Sequence, residues 1–179
     1  MWTIFKNSFL KGLLTEKEGR PRFVADPEVE KIGLELKKTI QSLYGRSLHL
    51  REVDTGSCGA CESEIAALNN PIYDLQRFGV DFVASPRHAD ALMVTGALSR
   101  NMALALKKTY DAMPGPKFVI TVGDCALGGG GFGASYYRAQ GIRDVVGSVV
   151  LHVPGCPPSP AQILSALLGF LKELPPQER

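Results

Sequence analysis

Cysteine is scarce in this chain of 179 residues: there are four, at 58, 61, 125 and 156. A long apolar run is absent. No stretch reaches the roughly 20 apolar residues that a membrane-crossing helix needs, so nothing here is expected to span a bilayer. An excess of charge of one sign is also missing. Lys plus Arg number 20 against 18 Asp plus Glu, without the clustered basic footprint that nucleic-acid binding requires, and no nucleic acid is expected as a partner. The opening "MWTIFKNSFLKGLL" carries Lys6 and Lys11 among its apolar positions and lacks the continuous apolar core and small-residue cleavage site of a signal peptide. These absences point to a soluble or peripheral protein facing a reducing cytosol. There, cysteines serve as metal ligands or redox groups more often than as structural disulfides.

What is present is enough for one domain with a real core, as 45% of the residues are hydrophobic. In residues 2–14, Trp2, Ile4, Phe5, Phe9, Leu10 and Leu13 fall along one side of a helix. Such a helix packs on its own domain, docks on a partner, or lies on a membrane surface. Thr15 to Pro27 is charged and Pro-containing and reads as a linker. Val29, Ile32, Leu36, Ile40 and Leu43 predict a helix over 28–44, with Gly45 as its stop. The rest alternates. Strands are expected at 48–54, 80–86, 89–96, 117–122 and 148–153, and helices at 61–70, 99–113 and 159–174. Strands separated by helices imply a parallel sheet with helices on both faces, an α/β fold whose sites collect at the carboxyl ends of the strands.

On that map Cys58 follows one strand, with Cys61 three residues further on. Cys125 and Cys156 each follow another strand. All four therefore sit at strand exits, which share one edge of a parallel sheet, and this placement argues for a single four-thiolate site. Four thiolates suit zinc or a cubane iron–sulfur cluster. Structural zinc favours two close pairs, whereas here only Cys58 and Cys61 are close, which fits a cluster better. "CPP" at 156–158 resembles the Cys-Pro ending of ferredoxin runs. A thioredoxin-type dithiol at Cys58 and Cys61 is the rival reading, and it leaves Cys125 and Cys156 unexplained. The glycines in "GSCGAC", "GDCALGGGGFGAS" and "PGCPP" let backbone amides approach an anionic cluster. "GGGGFGAS" lacks the Lys-Ser/Thr ending of a phosphate loop.

The stretches "GSCGACESEIAALNNPIYDLQRFGVDFVASPRHADALMVTGALSRNMALALKKTYDAMPGPKFVITVGDCALGGGGFGASYY" and "VPGCPPSPAQILSALLGFLKEL" resemble one particular family. It is the small, cluster-bearing subunit shared by respiratory complex I, where it is the 20 kDa N2-cluster subunit, and the membrane-bound group 4 NiFe hydrogenases of formate hydrogenlyase and energy-converting type. The resemblance covers residues 48–174. It implies a flavodoxin-like parallel sheet flanked by helices and one 4Fe–4S cluster held by Cys58, Cys61, Cys125 and Cys156. The position before Cys61 is Ala60, giving C-x-x-C as in the hydrogenase branch rather than the adjacent cysteines of the complex I branch. "MALALKKTYDAMPGPKFVITVG" reads more like complex I. Residues 48–179 are thus expected to form the iron–sulfur domain, and 1–47 an N-terminal helical extension facing a partner or the membrane.

The expected role is that of an electron-transfer subunit of an oxidoreductase complex. It would relay electrons between a ferredoxin-like subunit and a NiFe catalytic large subunit, with membrane subunits in the same complex, at the cytoplasmic face. The alternative is the equivalent subunit of a complex I-like quinone oxidoreductase or of a nickel-free hydrogenase relative. No nucleophilic or proton-handling constellation is present, so no catalysis is expected of the isolated chain. A thiol–disulfide oxidoreductase and a zinc-stabilised interaction module are the readings from other classes. Among secondary residues, Glu62 and Glu64 fall in a first helical turn, where acidic groups favour the helix N-terminus or sit beside a cluster. Arg87 and His88 supply a cation near the cluster, pair with Asp90, or meet a partner. His49 and His152 are expected to be packed, and Tyr136 and Tyr137 to be packed or to wall the site.

Overall fold

The computed structural model describes residues 26–174 except 134 and 140. The helix expected at 2–14, and the linker up to residue 25, lie outside the described residues. Helix α1 runs Pro27–Tyr44. It begins where the sequence supplies a cap: the Asp26 side chain accepts from the Glu28 N–H at 3.0 Å, and Pro27, which has no N–H to lose, takes the first turn. It ends at Gly45, whose left-handed φ of 66° lets its N–H reach the Gln41 carbonyl. The buried face, Val29, Gly33, Leu36, Ile40 and Leu43, lies in the same core as the sheet. The helix expected within the N-terminal extension is therefore built into the main core.

Five strands follow: β1 Leu48–Asp54, β2 Val80–Phe82, β3 Ala91–Thr95, β4 Phe118–Val122 and β5 Leu151–Val153. They pair in parallel in the order β2-β1-β3-β4-β5. This is the flavodoxin-like order, in which the chain changes direction between β1 and β3 and leaves a crevice beyond their carboxyl ends. The α/β fold expected from the alternating pattern is the fold found. β3 is buried along its whole length, as a central parallel strand must be. The outer strands are shorter than the apolar runs suggest, three residues each for β2 and β5. An edge strand has a ladder partner on one side only, and Pro154, with no N–H to donate, follows β5 directly.

Helices α2 Ala60–Ala67, α3 Arg100–Ala112, α4 Asp124–Gly128, α5 Ile142–Val146 and α6 Pro160–Glu173 are the further α-helices among the described residues. α1 and α6 cover one face of the sheet, with Ile163, Leu164, Leu167 and Leu171 packed among the α1 side chains and Ile120, Val122 and Val153. α3 and α5 cover the other, around Leu92, Val94, Leu106, Val119 and Val146. Burying such a side chain is worth about 1.5–3 kcal/mol, so these two apolar layers fix the strand register and hence where each strand exit points. Ser99 and Ser159 cap α3 and α6 through bonds to Met102 N–H and Gln162 N–H at 3.3 Å each.

A four-cysteine rim as candidate metal centre

The exits of β1, β3, β4 and β5 lie side by side along the carboxyl edge of the sheet. Asp54 closes β1: its Oδ1 accepts from Gly56 N–H at 2.8 Å and Ser57 N–H at 2.9 Å, turning the chain towards Cys58. Thr55 is fully buried and anchors the turn to the neighbouring exit. Its Oγ1 donates to Thr95 O at 2.6 Å and accepts from Leu98 N–H at 3.1 Å. Here the two loops touch backbone to backbone. A Cβ on Gly96 would lie 2.9 Å from atoms of Gly56 and Ser57. Cys58 is exposed, and Cys61, one residue into α2, is half-buried.

On the other side, the β4 and β5 exits are stitched together. Gly123 N–H donates to Val153 O and Asp124 N–H to Gly155 O, both at 2.9 Å, while Asp124 Oδ1 accepts from Gly155 N–H at 2.8 Å. This places half-buried Cys125, at the start of α4, beside the exposed Cys156 loop. The two halves meet at Gly123. A Cβ there would overlap the Cys61 sulfur and would stand 3.5 Å from the Gly155 carbonyl oxygen. A Cβ on Gly130 would come 2.6 Å from the Cys125 sulfur. The glycines around the cysteines therefore clear room for sulfur as well as for backbone turns.

The thiols feel one another. Burial pushes the Cys61 thiol up from 9.0 to about 11, helped by the Glu62 carboxylate and by Cys125, Cys58 and Cys156. The Cys125 thiol is also pushed up, first by burial and then by Cys156, Cys58 and Asp124; the Gly131 N–H, donating to its sulfur, works in the opposite direction. Gathering four thiolates on one rim is thus unfavourable without bound cations, and this donor set fits a metal group. Among the described residues all four cysteines are free thiols, and no three Cys, His, Asp or Glu side chains close around a single point.

The secondary residues separate. Glu62 lies against the site, both carboxylate oxygens buried without a hydrogen-bond partner. Glu64 is half-buried. Arg87 and His88 fall in a short turn at the opposite, amino edge of the sheet, where His88 O lies 3.1 Å from His49 Nδ1. They are not near the cysteines, and Arg87 does not pair with Asp90. Arg46 occupies that carboxylate at 2.7 and 2.9 Å. The connection from β2 to β3 must run back across the sheet, which carries 86–88 away from the carboxyl edge. His49 and His152 are half-buried, the latter 3.0 Å from Thr121 Oγ1. Tyr137 packs edge-on against Phe132, whereas Tyr136 stands 87% exposed. Sequence reasoning missed Asp54, Thr55 and Asp124. The Asp-Thr-Gly turn after an apolar run was a readable signal for the first.

A family model described as the NADH ubiquinone oxidoreductase 20 kDa subunit matches residues 58–170. The chain belongs to this family. It is 40% identical over 154 residues to a Pyrococcus furiosus protein described as "Probable membrane-bound hydrogenase subunit mbhJ", covering 80% of this chain and 92% of that one. It is 38% identical over 141 residues to formate hydrogenlyase subunit 7 of Escherichia coli, covering 77% of this chain and 55% of the relative. In structure it resembles a chain of the membrane-bound sulfane sulfur reductase, an archaeal respiratory membrane complex, with TM-score 0.63, 25% identity, and coverage of 77% and 74%. A chain of an NAD+-reducing [NiFe]-hydrogenase shares the fold at TM-score 0.56, with 19% identity and coverage of 75% and 96%. The chain is accordingly a subunit of an oxidoreductase complex of the hydrogenase or complex I-like type. No helix among the described residues is long and apolar enough to cross a membrane.

Proposed function

We propose that this chain is the electron-relay subunit of a membrane-bound hydrogenase, passing electrons between a ferredoxin-like subunit and a catalytic large subunit. The observation that supports the reading is the placement of Cys58, Cys61, Cys125 and Cys156 at neighbouring strand exits, with Cys61 raised by the charges of Cys125, Cys58 and Cys156, and Cys125 by those of Cys156 and Cys58. These four thiolates would hold one 4Fe–4S cluster, which when bound takes up and gives up single electrons. The chain's own part is to hold the sulfurs apart at fixed strand exits, to offer amides such as Gly131 N–H to them, and to cover one side of the site with the sheet. The other side faces out. Leu127 on α4 and Phe132 and Tyr136 beyond it, all exposed, supply apolar contact for the large subunit. α1 spends its apolar face on the core. The partner- or membrane-facing role of segment 1–47 then falls to the residues before it, beside the membrane subunits at the cytoplasmic face, while 48–179 carry the relay.

The test is electron flow through the assembled complex. Cys125→Ala and Cys156→Ala complexes that still assemble are expected to lose electron exchange between the ferredoxin-like and large subunits, and wild-type turnover in either would reject the relay. The likeness to the sulfane sulfur reductase chain favours one second reading, a nickel-free relative. Two C-x-x-C pairs in the accompanying large subunit decide for nickel, and their absence decides for the relative.

A further inference from the structure

We propose that Arg138 is a fixed positive charge built into the loop that carries Cys125, and that it raises the potential at which the cysteine site accepts an electron. The inference rests on the relay reading. Arg138 comes back to the Gly-rich loop from seven residues beyond Gly131. Its Nη1 donates to Gly133 O at 3.2 Å. A Cβ on Gly129 would lie 2.8 Å from its Nε and 3.0 Å from its Cζ, so the guanidinium packs closely against Gly129. Gly129 N–H donates to Cys125 O at 2.8 Å, and the next residue, Gly130, lies against the Cys125 sulfur. Two consecutive glycines thus separate guanidinium from sulfur.

Among the described residues that charge has no ion-pair partner: the ion pairs use Arg46, Arg77, Lys107 and Lys172. Its Nε is buried without a hydrogen-bond partner. The cavity beside it, about 500 Å³, is lined by Arg100, Ala103, Arg138, Ala139 and Val145, a second guanidinium and no carboxylate. Arg100 Nε in turn donates to Arg138 O at 3.4 Å, so the two cations are held on one side of the loop despite their repulsion. A guanidinium is permanently charged. Gain of one electron by the site adds one negative charge, and a cation behind Cys125 favours that state. Arg87, the cation that the sequence suggests for this role, lies on the other edge.

The experiment is an anaerobic redox titration of the assembled complex followed by electron paramagnetic resonance, with iron and sulfide determined on each sample. Arg138→Met is expected to lower the midpoint, leaving the ratio of reduced to oxidised site about tenfold lower at a fixed potential, the order of magnitude that a unit charge within roughly 12 Å gives at an effective permittivity of about 20. That ratio corresponds to about 59 mV for one electron. Arg138→Lys, which keeps the charge, is expected to stay near wild type. Ala103→Glu places a carboxylate in the same cavity with the bonds of Arg138 intact, and is expected to shift the midpoint in the same direction. It decides the matter if Arg138→Met loses its iron. A loaded complex in which neither neutral Arg138→Met nor Ala103→Glu moves the midpoint overturns this inference alone. A wild-type complex without iron and sulfide overturns the relay reading, and this inference with it.

Discussion

Replacing Gly123 with alanine adds one methyl group where the two halves of the cysteine rim meet. Gly123 has φ 87° and ψ 150°, a conformation that is essentially glycine's own. Holding another residue there costs about 1–3 kcal/mol. The added Cβ would also overlap the Cys61 sulfur, while the Gly155 carbonyl at 3.5 Å would be only in ordinary contact. Backbone on the β5 side cannot yield without breaking the bonds from Gly123 to Val153 and from Asp124 to Gly155. The side chain of Cys61 therefore has to swing away from the rim. The expected result is a chain that still folds, with its melting temperature lowered by roughly 2–4 °C for each kcal/mol lost, and that takes up much less iron and sulfide on anaerobic reconstitution. Gly131→Ala is the control, since a Cβ there meets nothing within 4 Å and φ is ordinary. It should load like wild type. Full iron and sulfide in Gly123→Ala with an unchanged melting temperature would refute the idea that Cys61 is packed against the β4 exit.

In the metal-free protein the Cys61 thiol, held up at about 11 by burial and by Glu62, should alkylate slowly at neutral pH and accelerate up to that value; a plateau near 9 in a pH series followed by peptide mapping contradicts this. Because the folded thiol holds its proton more tightly than the unfolded one, stability of the metal-free protein should fall as pH rises between 9 and about 11, as denaturant melts across that range would show. Gly33→Ala drives a Cβ into the fully buried Phe78 ring, and the overpacking, about 1–3 kcal/mol, should outweigh the roughly 1 kcal/mol gained in helix propensity; an equal or higher melting temperature contradicts it.

Much of this was legible because the core elements announce themselves locally. The apolar face of 28–44 between Asp26 and Gly45 signals a helix, and β3 and β4, apolar but for Thr95 and Thr121, signal buried parallel strands. The expected strands ending near 54, 122 and 153 placed all four cysteines at one edge. What was hidden depends on distance along the chain. α4 and α5, five residues each, are too short to show a period. The partner of Asp90 proved to be Arg46 rather than Arg87, because the crossover between β2 and β3 carries residues 86–88 to the amino edge. Arg138 gave no signal at all. It gains its meaning only when the loop after Gly133 folds back over Gly129.

The most direct measurement is of iron, acid-labile sulfide and zinc on this subunit, isolated anaerobically from its complex. The account predicts about four iron and four sulfide per chain, lost when Cys58, Cys61, Cys125 or Cys156 is replaced by alanine. Zinc without sulfide, or a Cys58–Cys61 disulfide in place of iron, would contradict it.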